Sequence, residues 1–242
     1  MNRRYFIKQS TFTGLALTTI PSFALSSNLI SSDELIGKGS PLLFGDDYKL
    51  RQEAHEAFVL MKSEALKENI AIKIVSSYRD FKHQKRIWTK KYKRYTEQGL
   101  SPEQTITKII EYSTIPGTSR HHWGTDIDII DENAQYSGNV LVSNKFQKNG
   151  PFYNLKNWMD SNANRFGFYL VYTDTINRKG FKYEPWHYSY KPLSQNYLQE
   201  YKKLEISKIL KQEQLIGSSN FTKDFIRKYT QENILDINPK LL

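Results

Sequence analysis

The chain has 242 residues, 38% of them hydrophobic and 25% charged, which supports one packed domain and argues against a disordered or membrane-embedded chain. It contains no cysteine, which excludes disulfides, thiolate zinc sites and a cysteine nucleophile. The formal net charge is +10, but Lys and Arg are interspersed with Glu and Asp, so no nucleic-acid partner is expected.

The chain opens on Asn2-Arg3-Arg4-Tyr5-Phe6-Ile7-Lys8, followed by an uncharged stretch from Gln9 to Asn28. A basic segment, an apolar segment and small residues near Ser22-Phe23-Ala24 read as an export signal over residues 1–27. The paired arginines, with Phe6 and Lys8, resemble a twin-arginine signal. The expected location is therefore the periplasm or cell envelope, with no stable membrane insertion once the signal is removed, and the protein is expected to be a monomer. Residues 28–45 read as a linker.

From Tyr48 to Asn69, Ala54, Ala57, Phe58, Met61 and Ala65 recur at helical spacing, with Asp46 and Asp47 as candidate caps. Ile70, Ile72 and Ile74 fall on one side with Lys73 on the other, which predicts a strand. Residues 80–98 read as a basic helix ended by Gly99. Its Lys82, Lys85, Arg86, Lys90, Lys91, Lys93 and Arg94 read as a solvated face, with contact to an anionic cell-wall polymer as the functional alternative. Ser101-Pro102-Glu103 opens another helix. Ile115 to Ser119 is a loop, and Gly124 to Ile130 a strand with Ile127 and Ile129 on one face and Asp126 and Asp128 on the other. A helix over 154–165, a strand over 166–172, a turn over 174–180 and a strand over 183–190 complete a domain spanning residues 46–192. Two helices, about 193–214 and 221–234, form a C-terminal extension over 193–242. The expected fold class is α+β: a small antiparallel central sheet with flanking helices and a helical C-terminal extension, with no second core.

There are five histidines. His55 reads as a polar position on the first helix and His83 as a surface residue. His121 and Asp128 lie seven apart across a loop-to-strand transition, and His187 follows Glu184 by three. Two imidazoles and a carboxylate, leaving a fourth position for water, form a known catalytic zinc arrangement. Glu184 is then placed to take a proton from that water if Pro185 bends the chain. Either spacing alone also arises by chance.

The wider surroundings are more specific. Ser119-Arg120-His121-His122-Trp123-Gly124-Thr125-Asp126-Ile127-Asp128 resembles the Ser-x-His-x-x-Gly-x-x-x-Asp motif of VanY-type D-alanyl-D-alanine carboxypeptidases, members of the LAS group of zinc peptidases with a DD-peptidase/hedgehog-like fold. Glu184-Pro185-Trp186-His187 looks like that family's Glu-Pro-Trp-His signature. Ser76-Ser77-Tyr78-Arg79, with Gln84 five residues on, resembles a third segment. The resemblance implies one Zn²⁺ held by His121, Asp128 and His187, with Glu184 as general base and then acid. It further implies Arg79 near the scissile carbonyl or the substrate carboxylate, Gln84 and Ser119 as substrate contacts, and a peptidoglycan stem peptide as substrate. An endopeptidase, an L,D-carboxypeptidase or a zinc-containing binding module on the same scaffold are the competing readings. Asp126 departs from the family, which has a small residue there. It could orient a ligand imidazole, compete as a ligand or lie solvated at an edge. His122 is expected not to be a ligand, Trp123 to belong to the core or floor a groove, and Trp186 to pack against His187.

Overall fold

The computed structural model describes residues 30–242. The export-signal reading of residues 1–27 therefore lies outside the described residues. The segment read as a linker is packed: helix α1 (Ser32–Leu35) is capped by Ser31, and Leu35 and Ile36 are buried. Asp46 and Asp47 do not cap the next helix. They sit in the tight loop closed by the Phe44–Leu50 bridge, and helix α2 (Gln52–Leu66) starts after Arg51 with no side-chain cap. The bridge wins because it buries Leu50 completely at the head of the helix.

Four strands form one antiparallel sheet: β1 (Ile72–Ser76), β2 (Asp126–Asp131), β3 (Phe168–Leu170) and β4 (His187–Tyr190), in the order β1-β2-β4-β3. The expected α+β class holds. Strand β4 is shorter than expected, because Glu184, Pro185 and Trp186 form the turn that enters it. One face of the sheet carries Ile72, Ile74, Ile127 and Ile129 onto α2 (Phe58, Met61) and onto helix α5 (Tyr153–Asn162), through Leu155, Trp158 and Met159. Between β1 and α5 in the chain run helix α3 (Phe81–Glu97), capped by Asp80, and helix α4 (Pro102–Ile109), which carries the Ser101/Gln104 capping box.

A second apolar cluster, not expected from the sequence, lies across α3, α4 and the C-terminal extension. The extension comprises helices α6 (Lys191–Tyr201), α7 (Ile206–Gln212) and α8 (Lys223–Tyr229). The helix expected over 193–214 breaks at 202–205. The buried stripe Ser194, Tyr197, Leu198, Tyr201 would continue at Glu205 and Lys208, and the break turns Ile206 and Leu210 inward instead. Leu198, Tyr201, Leu210 and Tyr229 pack with Trp88, Ile106 and Val171, so the extension is an integral wall of the structure. Leu210→Ala is expected to cost roughly 2–5 kcal/mol of folding stability, read as a lower urea midpoint at unchanged slope.

Candidate active site

Strand register assembles the centre. Asp128 on β2 stands directly opposite His187 on β4, and Asp126 opposite Ser189. Residues two apart on a strand share a face, so all four side chains project away from Ile127 and Ile129. His121 comes from the 3₁₀ turn Arg120–Trp123, which Gly124 ends at φ 71°. A Cβ on Gly124 would lie 2.9 Å from Leu43 Cδ2, so both the backbone and the space call for glycine.

His121, Asp128 and His187 each offer a ligand atom, all within 4.8 Å of one another. His121 Nε2 is 3.4 Å from Asp128 Oδ2, and His187 Nδ1 is 3.9 Å from Asp128 Oδ1. Donors held about 2.1 Å from a tetrahedral ion stand roughly 3.4 Å apart, so the spacing suits such an ion after small adjustments. Among the described residues, Asp128 Oδ1 is buried without a hydrogen-bond partner, as an oxygen meant for a cation would be. The imidazoles are stacked, with ring centroids 4.7 Å apart.

Each imidazole is oriented through its other nitrogen. His121 Nδ1–H donates to the Ser77 carbonyl at 2.8 Å, leaving Nε2 to face Asp128. His187 Nε2–H donates to Asp126 Oδ2 at 3.0 Å, leaving Nδ1 beside Glu184 Oε2 at 2.9 Å. Asp126 is therefore the acceptor that orients a candidate ligand, and it is fully buried rather than at a solvated edge. Arg120 Nε donates to Asp126 Oδ2 at 2.9 Å, while Thr125 and Ser189 donate to its Oδ1 at 2.8 and 2.6 Å. Burial alone would raise the Asp126 carboxyl, but Arg120 and His187 hold it well below the usual carboxylate range. Burial alone would depress His187, yet Asp126 and Glu184 push it up to about 10. Burial raises Glu184, with His187 opposing, and burial with Arg79 nearby lowers His121.

Arg79 enters the same cavity. Its Nη1 donates to Gln84 Oε1 at 3.0 Å, and its Nε is buried and unpartnered. Gln84 differs from expectation. It is fully buried, its Oε1 holds Arg79, and its Nε2 donates to the Thr114 carbonyl at 2.9 Å. Its amide is thus engaged at both ends, and it supports Arg79 instead of facing substrate. Ser119 does line the cavity, with a buried, unpartnered Oγ. His122 accepts from Gly117 N–H at Nε2 (3.2 Å) and donates from Nδ1 to the Arg79 carbonyl (2.6 Å). Both nitrogens are occupied, and burial lowers the ring to about 3, which agrees with its non-ligand reading. Trp123 belongs to the core, its indole N–H donating to the Leu35 carbonyl at 3.2 Å. Trp186 is buried against Phe146.

The cavity has a volume of about 730 Å³, and His121, Asp128, Glu184 and His187 line it together with Lys91, Arg94, Tyr95 and Tyr112. Sequence reasoning missed Arg120. It lies within the quoted motif, but nothing local marks it as the partner of a carboxylate six residues on.

The VanY family profile, described as D-alanyl-D-alanine carboxypeptidase, matches residues 47–193, more than half of the chain. A Haemophilus influenzae protein described as uncharacterized is 32% identical over 106 residues, 43% of this chain and 81% of that protein. A D-alanyl-D-alanine carboxypeptidase of Enterococcus faecalis is 30% identical over 118 residues, 48% of this chain but only 39% of its own length. Among solved structures, VanYB in complex with D-alanine-D-alanine superposes with a TM-score of 0.53 at 22% identity, covering 69% of this chain and 91% of its own. A mutant vancomycin-resistance D,D-pentapeptidase VanY in complex with Zn(II) gives 0.50 at 23% identity, covering 62% and 76%. These two likenesses establish the shared fold.

Proposed function

The chain belongs to the VanY family of D-alanyl-D-alanine carboxypeptidases, and from that premise we propose that it is an exported, zinc-dependent D,D-carboxypeptidase acting on peptidoglycan stem peptides. The observation that carries the reading is the convergence of His121, Asp128 and His187 on one point with Glu184 beside them. A zinc ion bound there would lower the pKa of water towards neutrality and polarise the scissile carbonyl.

The protein's own groups supply the rest. With a zinc ion held at His187 Nδ1 in place of the proton on that nitrogen, the Glu184 carboxylate would be left free. Glu184 accepts a proton from the attacking water as its oxygen bonds to the carbonyl carbon. It then delivers that proton to the amine as the C–N bond breaks. Arg79, a fixed guanidinium with an unspent donor, faces the developing oxyanion, and Gln84 holds it in place. Asp126 keeps His187 in the tautomer that offers Nδ1. No covalent enzyme intermediate is required.

The test is release of D-alanine from a stem pentapeptide. It is expected to stop when a chelator removes zinc and to return on adding zinc back. Undiminished release after complete metal removal would exclude the metallopeptidase reading. Mass analysis of the fragments separates a D,D-carboxypeptidase from an L,D-carboxypeptidase or an endopeptidase.

A further inference from the structure

Helix α3 forms one wall of the cavity: Gln84 is buried beneath Arg79, and Ile87, Lys91 and Tyr95, farther along the helix, line the cavity itself. Lys91 belongs to the stretch expected to form a solvated basic face, and its neighbours Lys90 and Lys93 are exposed. Lys91 itself is half-buried and lines the cavity. Its ammonium donates to Ser113 Oγ at 2.9 Å and, among the described residues, has no carboxylate at ion-pairing distance. Arg94 lines the same end, stacked on the Tyr95 ring at 4.6 Å. Among the described residues, the acids lining the cavity are Asp128, a candidate metal ligand, and Glu184 beside His187.

A half-buried ammonium that lines a substrate cavity and, among the described residues, has no carboxylate paired with it suits an anion. The rise of α3 puts Lys91 about 10 Å along the helix from Gln84, or roughly three residues of extended peptide. That reach exceeds the distance from a scissile amide to the carboxylate of a single departing residue. We propose that Lys91, set by Ser113 and flanked by Arg94, receives a carboxylate carried by the substrate peptide upstream of the scissile bond. The inference rests on the peptidase reading of the cavity. It selects stems with acidic groups at their second or third residue over neutral peptides of the same length. Burial, with Arg94 and Arg79 nearby, lowers the Lys91 ammonium against the opposing field of Glu184, and an incoming carboxylate would favour its charged form.

The experiment uses the full zinc-loaded chain and a stem pentapeptide with diaminopimelate at its third residue. Further copies of the peptide have each carboxylate amidated singly: the second residue, the third and the C-terminus. Wild type, Lys91→Met and Lys91→Arg are compared by KM and kcat, and by calorimetric Kd for zinc-free protein. Lys91→Met is expected to raise KM and Kd about tenfold or more on the parent peptide at nearly unchanged kcat. Lys91→Arg is expected to retain most of the affinity. The tenfold difference should vanish on the one upstream-amidated peptide that lacks the recognised group. A penalty that vanishes only on the C-terminal amide, or that is equal on every peptide, or no penalty at all, would overturn the proposal. The predicted Kd pattern without any hydrolysis would leave the receptor standing and remove the peptidase reading. Hydrolysis with Lys91 indifferent to every amidation would do the reverse.

Discussion

A Glu184→Gln chain is expected to keep its zinc and to lose roughly 10²–10⁴-fold in kcat, the range typical of a positioned general base. Glutamine fills the same volume and can still occupy the place beside His187 Nδ1, so neither the fold nor the three candidate ligands need change. What it cannot do is accept a proton from water. Glu184 is buried, and its carboxyl is raised by that burial, the environment in which a carboxylate becomes basic enough for the task. The measurement is D-alanine release per zinc-loaded protein, with metal content determined on the same sample. Turnover within about threefold of wild type at full zinc occupancy would contradict a base role. Loss of zinc together with activity would instead make Glu184 a ligand.

Asp126→Asn is expected to act on metal and fold at once. The carboxylate accepts from His187, Arg120, Thr125 and Ser189, all of them buried. An amide has one acceptor oxygen instead of two and carries no charge, so Arg120 is left buried and unpaired. Breaking a buried pair from one side costs up to about 3–5 kcal/mol. Losing the acceptor that orients a ligand imidazole weakens metal binding roughly 10–100-fold. Urea unfolding with chelator present isolates the first effect, and competition against a metal indicator isolates the second. Zinc affinity equal to wild type in a folded Asp126→Asn chain would detach Asp126 from the metal centre.

These two residues show how unevenly the site could be read from the chain. Glu184 was legible because its signal is local: a Glu-Pro-Trp-His string in which a three-residue interval and a proline bring two side chains to one place. His121 and Asp128 were legible for the same reason, across a turn that Gly124 makes possible. Asp126 could be seen only as an acid on the same strand face as Asp128. Its role depended on Arg120 folding back and on His187 arriving from a segment 61 residues away.

The same division runs through the whole protein. Sequence alone determined the family, the α+β class, the main helices and strands, and the candidate ligands. Each of these is written in spacings of a few residues, where backbone geometry dictates which side chains share a face. Tertiary structure decided that Asp128 pairs opposite His187, that Gln84 lies under Arg79 and that Lys91 turns inward while Lys90 and Lys93 stay in water. It also turned the supposed linker and the C-terminal extension into packed walls. Those outcomes turn on which surfaces meet across long stretches of chain. Whether a polar side chain can be buried depends on a partner that its own neighbours do not reveal.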